Sequence, residues 1–414
     1  MNKKISIIHL TTGASNQSAV TRLVEAERKE GLNSIILTLD NKTSYNFVKN
    51  YLDKKTKILI KYLINFLEKI QLKQTETPFS ISNYSISNFI KNNELLTADI
   101  IHLHWINGGF IGTKFLEKLQ QLEKKIVITM HDSWFFTGGC HVKLGCKKFE
   151  NYCHTCEQLK SKKYRDVSYY NFKRKEKIFK NFNGIVVTPS YWLEMEAKKS
   201  KVLSKNKIIT IGNTLDFEIF KPIDRGIARK ILNINSDKII LGFGALDFSS
   251  AKYKGYEYLE LILNKFFRDK KEKKNNYEIL ILGGKKLDIQ ELAGIKVTYL
   301  GTLKDNYSLN LFYSAIDMLL YPSLEDNLPN MVMESLASGT PVCSFQTGGI
   351  EEMIITEQMG EVVPQRNIEI FVNKMNKILE NSLNLEREEV AKEIKNKYSN
   401  QKVIREYLKI YNNI

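Results

Sequence analysis

The sequence predicts an α/β protein made of two tandem, doubly wound domains, and three observations carry that expectation. Short β-rich apolar runs alternate with helical patterns from end to end, and the runs are continuously rather than alternately apolar, as buried parallel strands are. The series restarts near residue 215. The chain has 414 residues, more than one hydrophobic core usually organises. Together these features describe two Rossmann-like domains with an interdomain cleft.

In chain order, the first series of expected strands is Ile5–Leu10, Ser34–Leu39, Asp99–His104, Lys125–Met130, Gly184–Thr188 and Lys207–Ile211. The second is Lys238–Phe243, Tyr277–Leu282, Val297–Leu300, Met318–Tyr321 and Pro341–Phe345. The expected domains are therefore 1–212 and 213–394, followed by a charged helical segment, 395–414, whose apolar "VIREYLKIY" could pack back on the first domain. "MNKKISIIHL" reads as a first buried strand rather than a leader, and no apolar run reaches bilayer length, so a cytoplasmic protein is expected.

Ligands of doubly wound sheets bind at the carboxyl ends of the strands. The most polar residues stand there: His131-Asp132 after "KIVITM", Ser249 to Lys254 after "KIILGFGALD", and Asp326 after "DMLLYPS". Such placement is hard to obtain from packing alone.

A hydrophobic content of 43% and a charged content of 26% are ordinary for a globular protein. The net charge of +16 is not evenly spread: residues 1–215 hold 35 Lys+Arg against 18 Asp+Glu, and the remainder 27 against 28. A lysine-rich coding bias would not favour one half. The asymmetry implies an anionic partner for the first domain, either a membrane surface or a phosphorylated acceptor. Nucleic acid is the weaker explanation, because no recognised binding motif accompanies the charge.

Four stretches in order, "IIHLHWINGGF", "TMHDSWFFTGGCH", "IGNTLDFEIFKP" and "YPSLEDNLPNMVMESLASGTPV", resemble the motifs of family-4 glycosyltransferases of the two-domain GT-B fold, in particular a polysaccharide-assembly subgroup. The resemblance runs from the first strand to about Pro364. It implies a metal-independent, retaining transfer of a sugar from a UDP- or GDP-linked donor to an oligosaccharide, lipid-linked acceptor for surface polysaccharide such as lipopolysaccharide or capsule. It implies no catalytic cofactor, and no acidic D-x-D metal motif stands out. A nucleotide-sugar epimerase of the same fold, or a non-catalytic nucleotide-sugar-binding or nucleic-acid-binding protein, are the alternatives.

The last stretch resembles the donor signature E-x7-E, in which Glu334 pairs with Asp326 and not with Glu325. Pro329 suits a helix start, Asp326 or Asn327 can supply a capping oxygen, and the N–H groups of Asn330 and Met331 then form an anion pocket. The resemblance implies that Asp326, with the backbone of Asn327, Leu328, Pro329 and Asn330, contacts the transferred sugar, and that Glu334 binds the donor ribose. A capped surface helix with a polar stripe Asn330, Glu334 and Ser338 is the plain alternative. Lys254, before Gly255, resembles the lysine that holds the diphosphate. Gly244-Ala245-Leu246 stands where the family has Gly-Arg-Leu, so Lys252 is the candidate second cation. Tyr299 and Gly301 fall where the family places the nucleobase. His131 ends a strand and by resemblance lies beside the reacting sugar, making His131, Asp326 and Lys254 the expected catalytic set. His102 and His104 share one strand face and take no assigned role. Gly13, in "TTGASNQS", is expected in a phosphate or acceptor loop that leads into a helix, although the stretch is not a G-x-G-x-x-G.

Cys140, Cys146, Cys153 and Cys156 cluster with two interleaved histidines, which in a cytosolic chain makes a candidate structural zinc site before a set of disulfides. "KILIKYLINFLEKI" places Lys57, Lys61, Asn65, Glu68 and Lys69 on one helical face and leaves a broad apolar one. It is either a domain helix or an interfacial helix on anionic lipid, which would make the protein peripheral on the inner face of the cell membrane.

Overall fold

The computed structural model describes residues 5–73, 77–81, 92–234, 237–244, 251–268, 270–283, 290–382 and 385–413. They divide into two compact units, 1–214 with 403–414, and 215–402. Ala245, Leu246 and Ser249 lie outside the described residues.

The first unit holds a seven-stranded sheet: β1 (Ser6–Ser15), β2 (Asn33–Lys42), β3 (Val48–Asn50), β4 (Ile100–Leu103), β5 (Lys125–Thr129), β6 (Ile185–Thr188) and β7 (Ile208–Thr210). All neighbours are parallel, in the order β3-β2-β1-β4-β5-β6-β7. The order reverses between β1 and β4, which makes their carboxyl ends the switch point. Side chains alternate between two cores. Ile8, Leu10, Ile101, Leu103, Ile126 and Ile128 join one with helices such as Val167–Lys180. Ile7, Ile100 and Val127 face the other, closed by Val403, Ile404, Tyr407 and Tyr411 of the Asn400–Asn413 helix. Burying each of these large side chains contributes roughly 1.5–3 kcal/mol.

The second unit repeats the plan with β8 (Ile239–Gly244), β9 (Tyr277–Leu282), β10 (Glu291–Leu292), β11 (Ile295–Gly301), β12 (Met318–Tyr321), β13 (Val342–Phe345) and β14 (Gly360–Val363). The order is β10-β11-β9-β8-β12-β13-β14, parallel except for β10 against β11. Here the switch point lies between β8 and β12.

Three strands have no counterpart in the sequence reading: β3, β10 and β14 lie on the outer part of a sheet and span three, two and four residues. Edge strands this short need no continuous apolar run. A second difference concerns Gly13. It does not sit in a loop: β1 continues through it to Ser15, pairing Gly13 with Asp40, and the helix Ala19–Lys29 begins only after the Ser18 cap. A side chain at Gly13 would meet open space, so the position is a strand end without steric need for glycine.

The helix Lys54–Gln71 is capped by Asp53, whose side chain accepts from Lys55 N and Thr56 N. Ile64 is its one buried residue, resting with Ile60 beside Gly109, while Leu59, Tyr62, Leu63, Phe66 and Ile70 are exposed. No described helix is long and apolar enough to cross a membrane.

Candidate functional site

In the second unit, the segments after β8 and β12 are stitched together across the switch point. Lys252–Lys254 form a single 3-10 turn closed by Gly255 in the left-handed conformation, φ +81°. A Cβ on Gly255 would stand 1.8 Å from the Pro322 carbonyl oxygen, so only glycine lets the two segments approach. Leu324 N donates to Tyr253 O at 2.7 Å, and Ser323 Oγ to the same oxygen at 3.2 Å.

This stitching brings Lys254 Nζ to 2.5 Å from Asp326 Oδ2. Tyr321 Oη donates to the same oxygen at 2.5 Å, and Asn327 N to Oδ1 at 2.9 Å. Three donors fix the carboxylate as an acceptor. Burial alone would raise the Asp326 pKa, but the Lys254 charge and these hydrogen bonds hold it below the usual carboxylate range. Burial would likewise lower the Lys254 pKa, but the Asp326 charge, Tyr253 and the hydrogen bond to Asp326 together more than offset it, so the ammonium is held above its ordinary value. The pair stays ionised near neutrality, with side chains 29% and 21% exposed.

Asp326 therefore does not cap the following helix. Pro329 occupies the cap position of Asn330–Ala337 and no side chain caps it, because Asp326 is committed to Lys254, Tyr321 and its neighbour's N–H. The Asp326–Asn327 turn is held from the other side by Gly348 and Gly349. A Cβ on Gly348 would fall 1.7 Å from Asp326 O, and Gly349 N donates to Asn327 O at 2.6 Å. Leu328 and Pro329 are buried and anchor the turn; Asn330 is half-buried. Glu334 is 4% exposed and takes the Tyr313 hydroxyl on Oε2 at 2.7 Å. Glu334 is thus set deeper than a surface stripe would place it, and Ser338, also buried, donates to the Glu334 carbonyl.

Lys252 Nζ lies 3.8 Å from Glu257, with both side chains largely exposed, and not on Asp326. Tyr299 and Gly301 end β11, two strands from β8, where the pairing with β9 slips. Gly301 has φ +66° and open space at its Cβ, and the Tyr299 hydroxyl is buried with no hydrogen-bond partner in the described structure. Tyr321, Tyr253 and Gly348 build the site but went unread in the sequence. The Gly348-Gly349 pair just beyond β13 was the available signal.

Two of the expected catalytic and donor-binding residues stand in the first unit. Gly13 is at the end of β1, and His131 follows β5, half-buried, with Nε2 3.0 Å from His104 Nδ1. Burial pushes the His131 pKa down to about 4, against the pull of Asp132. Asp132 itself accepts from His141 Nδ1 at 2.6 Å, and its pKa is lowered by that histidine in spite of burial.

Cys140 and Cys156 share a side-chain hydrogen bond, with Cys153 and Cys146 nearby. Cys153 is buried and accepts from Gly138 N, Cys140 bridges to Phe79 through its backbone, and Cys146 is exposed; all are free thiols. The Cys156 thiol is brought down to about 7 chiefly by its hydrogen bond with Cys140. Among the described residues the set of three or more metal-ligating groups within 4.8 Å is His9, His102 and His104.

Comparisons with known proteins agree with this architecture. Residues 237–381 match the family described as Glycosyl transferases group 1. An uncharacterized 41.2 kDa protein in the cps region of Klebsiella pneumoniae is 24% identical over 347 residues, 81% of this chain and 87% of that protein. WcaC of Escherichia coli, whose name assigns it to colanic acid biosynthesis as a glycosyl transferase, is 20% identical over 330 residues, 77% of this chain and 76% of WcaC. Among solved structures, sucrose-phosphate synthase from Thermosynechococcus elongatus superposes with a TM-score of 0.66 at 17% identity, covering 98% of both chains. Anabaena HepE, solved in complex with UDP-glucose, superposes at 0.62 and 12% identity over 99% of this chain and 100% of its own. The two parallel-sheet units thus have the GT-B fold, and residues 237–381 match the family described as Glycosyl transferases group 1.

Proposed function

We propose that the protein is a retaining glycosyltransferase, independent of a catalytic metal, that moves a sugar from a UDP- or GDP-linked donor to an oligosaccharide acceptor. The acceptor is lipid-linked and belongs to surface-polysaccharide assembly, a reading supported by the similarity to WcaC. The observation that carries it is the Lys254–Asp326 pair at the switch point of the second sheet, a fixed cation beside an ordered carboxylate at the strand ends where such folds bind ligands.

In this reading residues 213–394 take the donor and 1–212 the acceptor. Lys254 faces the diphosphate and stabilises the charge that builds there as the glycosidic bond breaks. Asp326 and the Asn327–Asn330 backbone hold the transferred sugar, Glu334 the ribose, and Tyr299 and Gly301 the base, with Lys252 an outer cation. His131 lies beside the reacting sugar, and Gly13 lines the acceptor side. The acceptor hydroxyl attacks on the leaving-group face: its oxygen bonds to the anomeric carbon, the bond to the diphosphate breaks, and the departing phosphate takes the hydroxyl proton. The chain supplies positioning and charge stabilisation. The exposed apolar face of Lys54–Gln71, with its lysines, docks the protein on the anionic inner face of the cell membrane.

Thermal shift with a panel of UDP-, GDP- and other nucleotide sugars tests the donor. A ligand at 100 times its Kd stabilises the folded state by about 2.7 kcal/mol. Wild type should respond to one nucleotide class and Lys254→Ala should not; an equal response in both, or none to any donor, counts against the reading.

A further inference from the structure

Four buried ionisable side chains in the first unit are consumed by no part of the proposed reaction: His9, Glu27 and His102, each 0% exposed, and His104, 1% exposed. A core this polar is costly unless every group is satisfied, and here each is. His9 on β1, His102 on β4 with His104 just beyond it, and Thr129 on β5 with His131 just beyond it stand on one face of three adjacent strands, two residues apart, with His9 paired to His102.

With Glu27 as a carboxylate and each imidazole neutral, the hydrogen bonds fix the proton on every ring. Tyr411 Oη donates to Glu27 Oε1 at 2.7 Å. Glu27 only accepts, so His9 Nε2, 2.8 Å from Oε2, carries a proton and donates. In the neutral ring His9 Nδ1 then accepts, and at 2.9 Å its donor is His104 Nε2. His104 Nδ1 accepts in turn, and at 3.0 Å its donor is His131 Nε2. A second branch clamps the carboxylate: the Tyr411 oxygen accepts from His102 Nδ1 at 2.9 Å, His102 Nε2 accepts from Thr129 Oγ1 at 2.7 Å, and Thr129 Oγ1 accepts from Tyr407 at 3.0 Å. The chain of donors runs one way, from His131 inward to Glu27.

We propose that Glu27, His9 and His104 form a buried relay that fixes His131 as the Nε2-protonated tautomer, so that its Nδ1 accepts a hydroxyl hydrogen of the sugar substrates and the positive charge it gathers is balanced by Glu27. The proposal rests on the reading of His131 as substrate-facing. The logic is that of a carboxylate orienting a catalytic histidine, lengthened by two imidazoles. Glu27, His9 and His104 are positioning residues. Burial keeps His104 neutral by pushing its pKa well below the ordinary value, the state in which it can accept and donate at once. The groups facing the relay are Asp132 beside His131, Tyr411 and Tyr407 from the Asn400–Asn413 helix, and His102. His9, His102 and His104 are close enough to suggest a metal trio, but their nitrogens are already paired and the His102 and His104 rings stack, centroids 4.2 Å apart, rather than converge.

Imidazole 15N NMR of the full-length protein reads the tautomer directly and without turnover. Wild type should show His9, His104 and His131 neutral and protonated on Nε2 at pH 7. Glu27→Gln presents an amide that cannot accept from both Tyr411 and His9, so His131 should become a mixture of tautomers; Tyr411→Phe, which leaves His9–Glu27 intact, should not change it. An Nδ1-protonated His131 in wild type, or an unchanged tautomer in folded Glu27→Gln, would overturn the relay. The wild-type spectrum decides even if the variants do not fold. With UDP-glucose as probe, or whichever nucleotide sugar the thermal-shift panel selects, Glu27→Gln should lower kcat about 10- to 100-fold with little change in KM, the scale of losing a carboxylate behind a functional histidine. Failure of every donor in that panel removes the glycosyltransferase reading but leaves the NMR result standing.

Discussion

Lys254 Nζ and Asp326 Oδ2, 72 residues apart in sequence, stand 2.5 Å from each other across the switch point of the second sheet. With side chains 29% and 21% exposed the pair is largely shielded from solvent, so Lys254→Ala leaves the Asp326 carboxylate without its counter-ion and should cost about 1–3 kcal/mol of stability. Its kcat for sugar transfer should fall about 10²- to 10³-fold, the scale of removing one preorganised charge-stabilising group. Steady-state kinetics beside a denaturant melt separate the two effects.

Gly255 and Gly348 position that pair through backbone contacts no other residue tolerates. Cβ atoms there would fall 1.8 Å from Pro322 O and 1.7 Å from Asp326 O, and both glycines have positive φ, +81° and +52°. Gly255→Ala and Gly348→Ala should each destabilise the second unit by about 1–3 kcal/mol and reduce donor-induced stabilisation as Lys254 or Asp326 is displaced. Gly13→Ala, where the Cβ meets open space, is the control and should leave the melting temperature within error.

The pH dependence follows from the two shifts. Asp326 is lowered in the folded state, so its stabilising contribution is full above the unfolded value of 3.8 and is lost as pH falls through the lower folded value. Lys254 is raised, so its contribution is full below 10.5 and is lost as pH rises through the higher folded value. The melting difference between wild type and Asp326→Asn should be flat from about pH 5 to 9 and shrink only outside that window. A difference that titrates near neutrality would mean that other groups govern the pair.

Much of this arrangement was legible in the sequence, and the omissions have physical causes. Interior strands announce themselves because both faces are buried, as in "KIVIT" and "YEILIL"; the edge strands β3, β10 and β14 carry no such run. The i to i+8 count selected Asp326 and Glu334, but capping preference misplaced the Asp326 oxygens, which go to a lysine 72 residues earlier, to Tyr321 and to the N–H of Asn327 rather than to the helix start. The period-two spacing of His102 and His104 placed them on one face. Their link to Glu27 could not be read, because it depends on a helix crossing the sheet and on Tyr411, 384 residues away. Cysteine spacing pointed to a cluster, and the fold does bring Cys140 to hydrogen-bonding distance of Cys156, while Cys146 stays exposed.

The helix Lys54–Gln71 presents the last test. Its amphipathic pattern fits a domain helix as well as an interfacial one, but the structure buries Ile64 alone and leaves Leu59, Tyr62, Leu63 and Phe66 in solvent beside Lys55 and Lys61. Inserting such side chains into an anionic bilayer adds apolar burial to an attraction of about 1 kcal/mol per lysine near the surface. Wild type should sediment with phosphatidylserine or phosphatidylglycerol vesicles at low salt and bind zwitterionic vesicles poorly. Leu59→Asp with Phe66→Asp should abolish sedimentation while leaving the melting temperature nearly unchanged, because neither residue packs in a core. The basic term is screened within a Debye length of about 3 Å at 1 M salt, so binding that survives there must rest on the apolar face alone. Wild type that fails to sediment at low salt, or a doubly substituted protein that still does, removes this helix as the membrane contact.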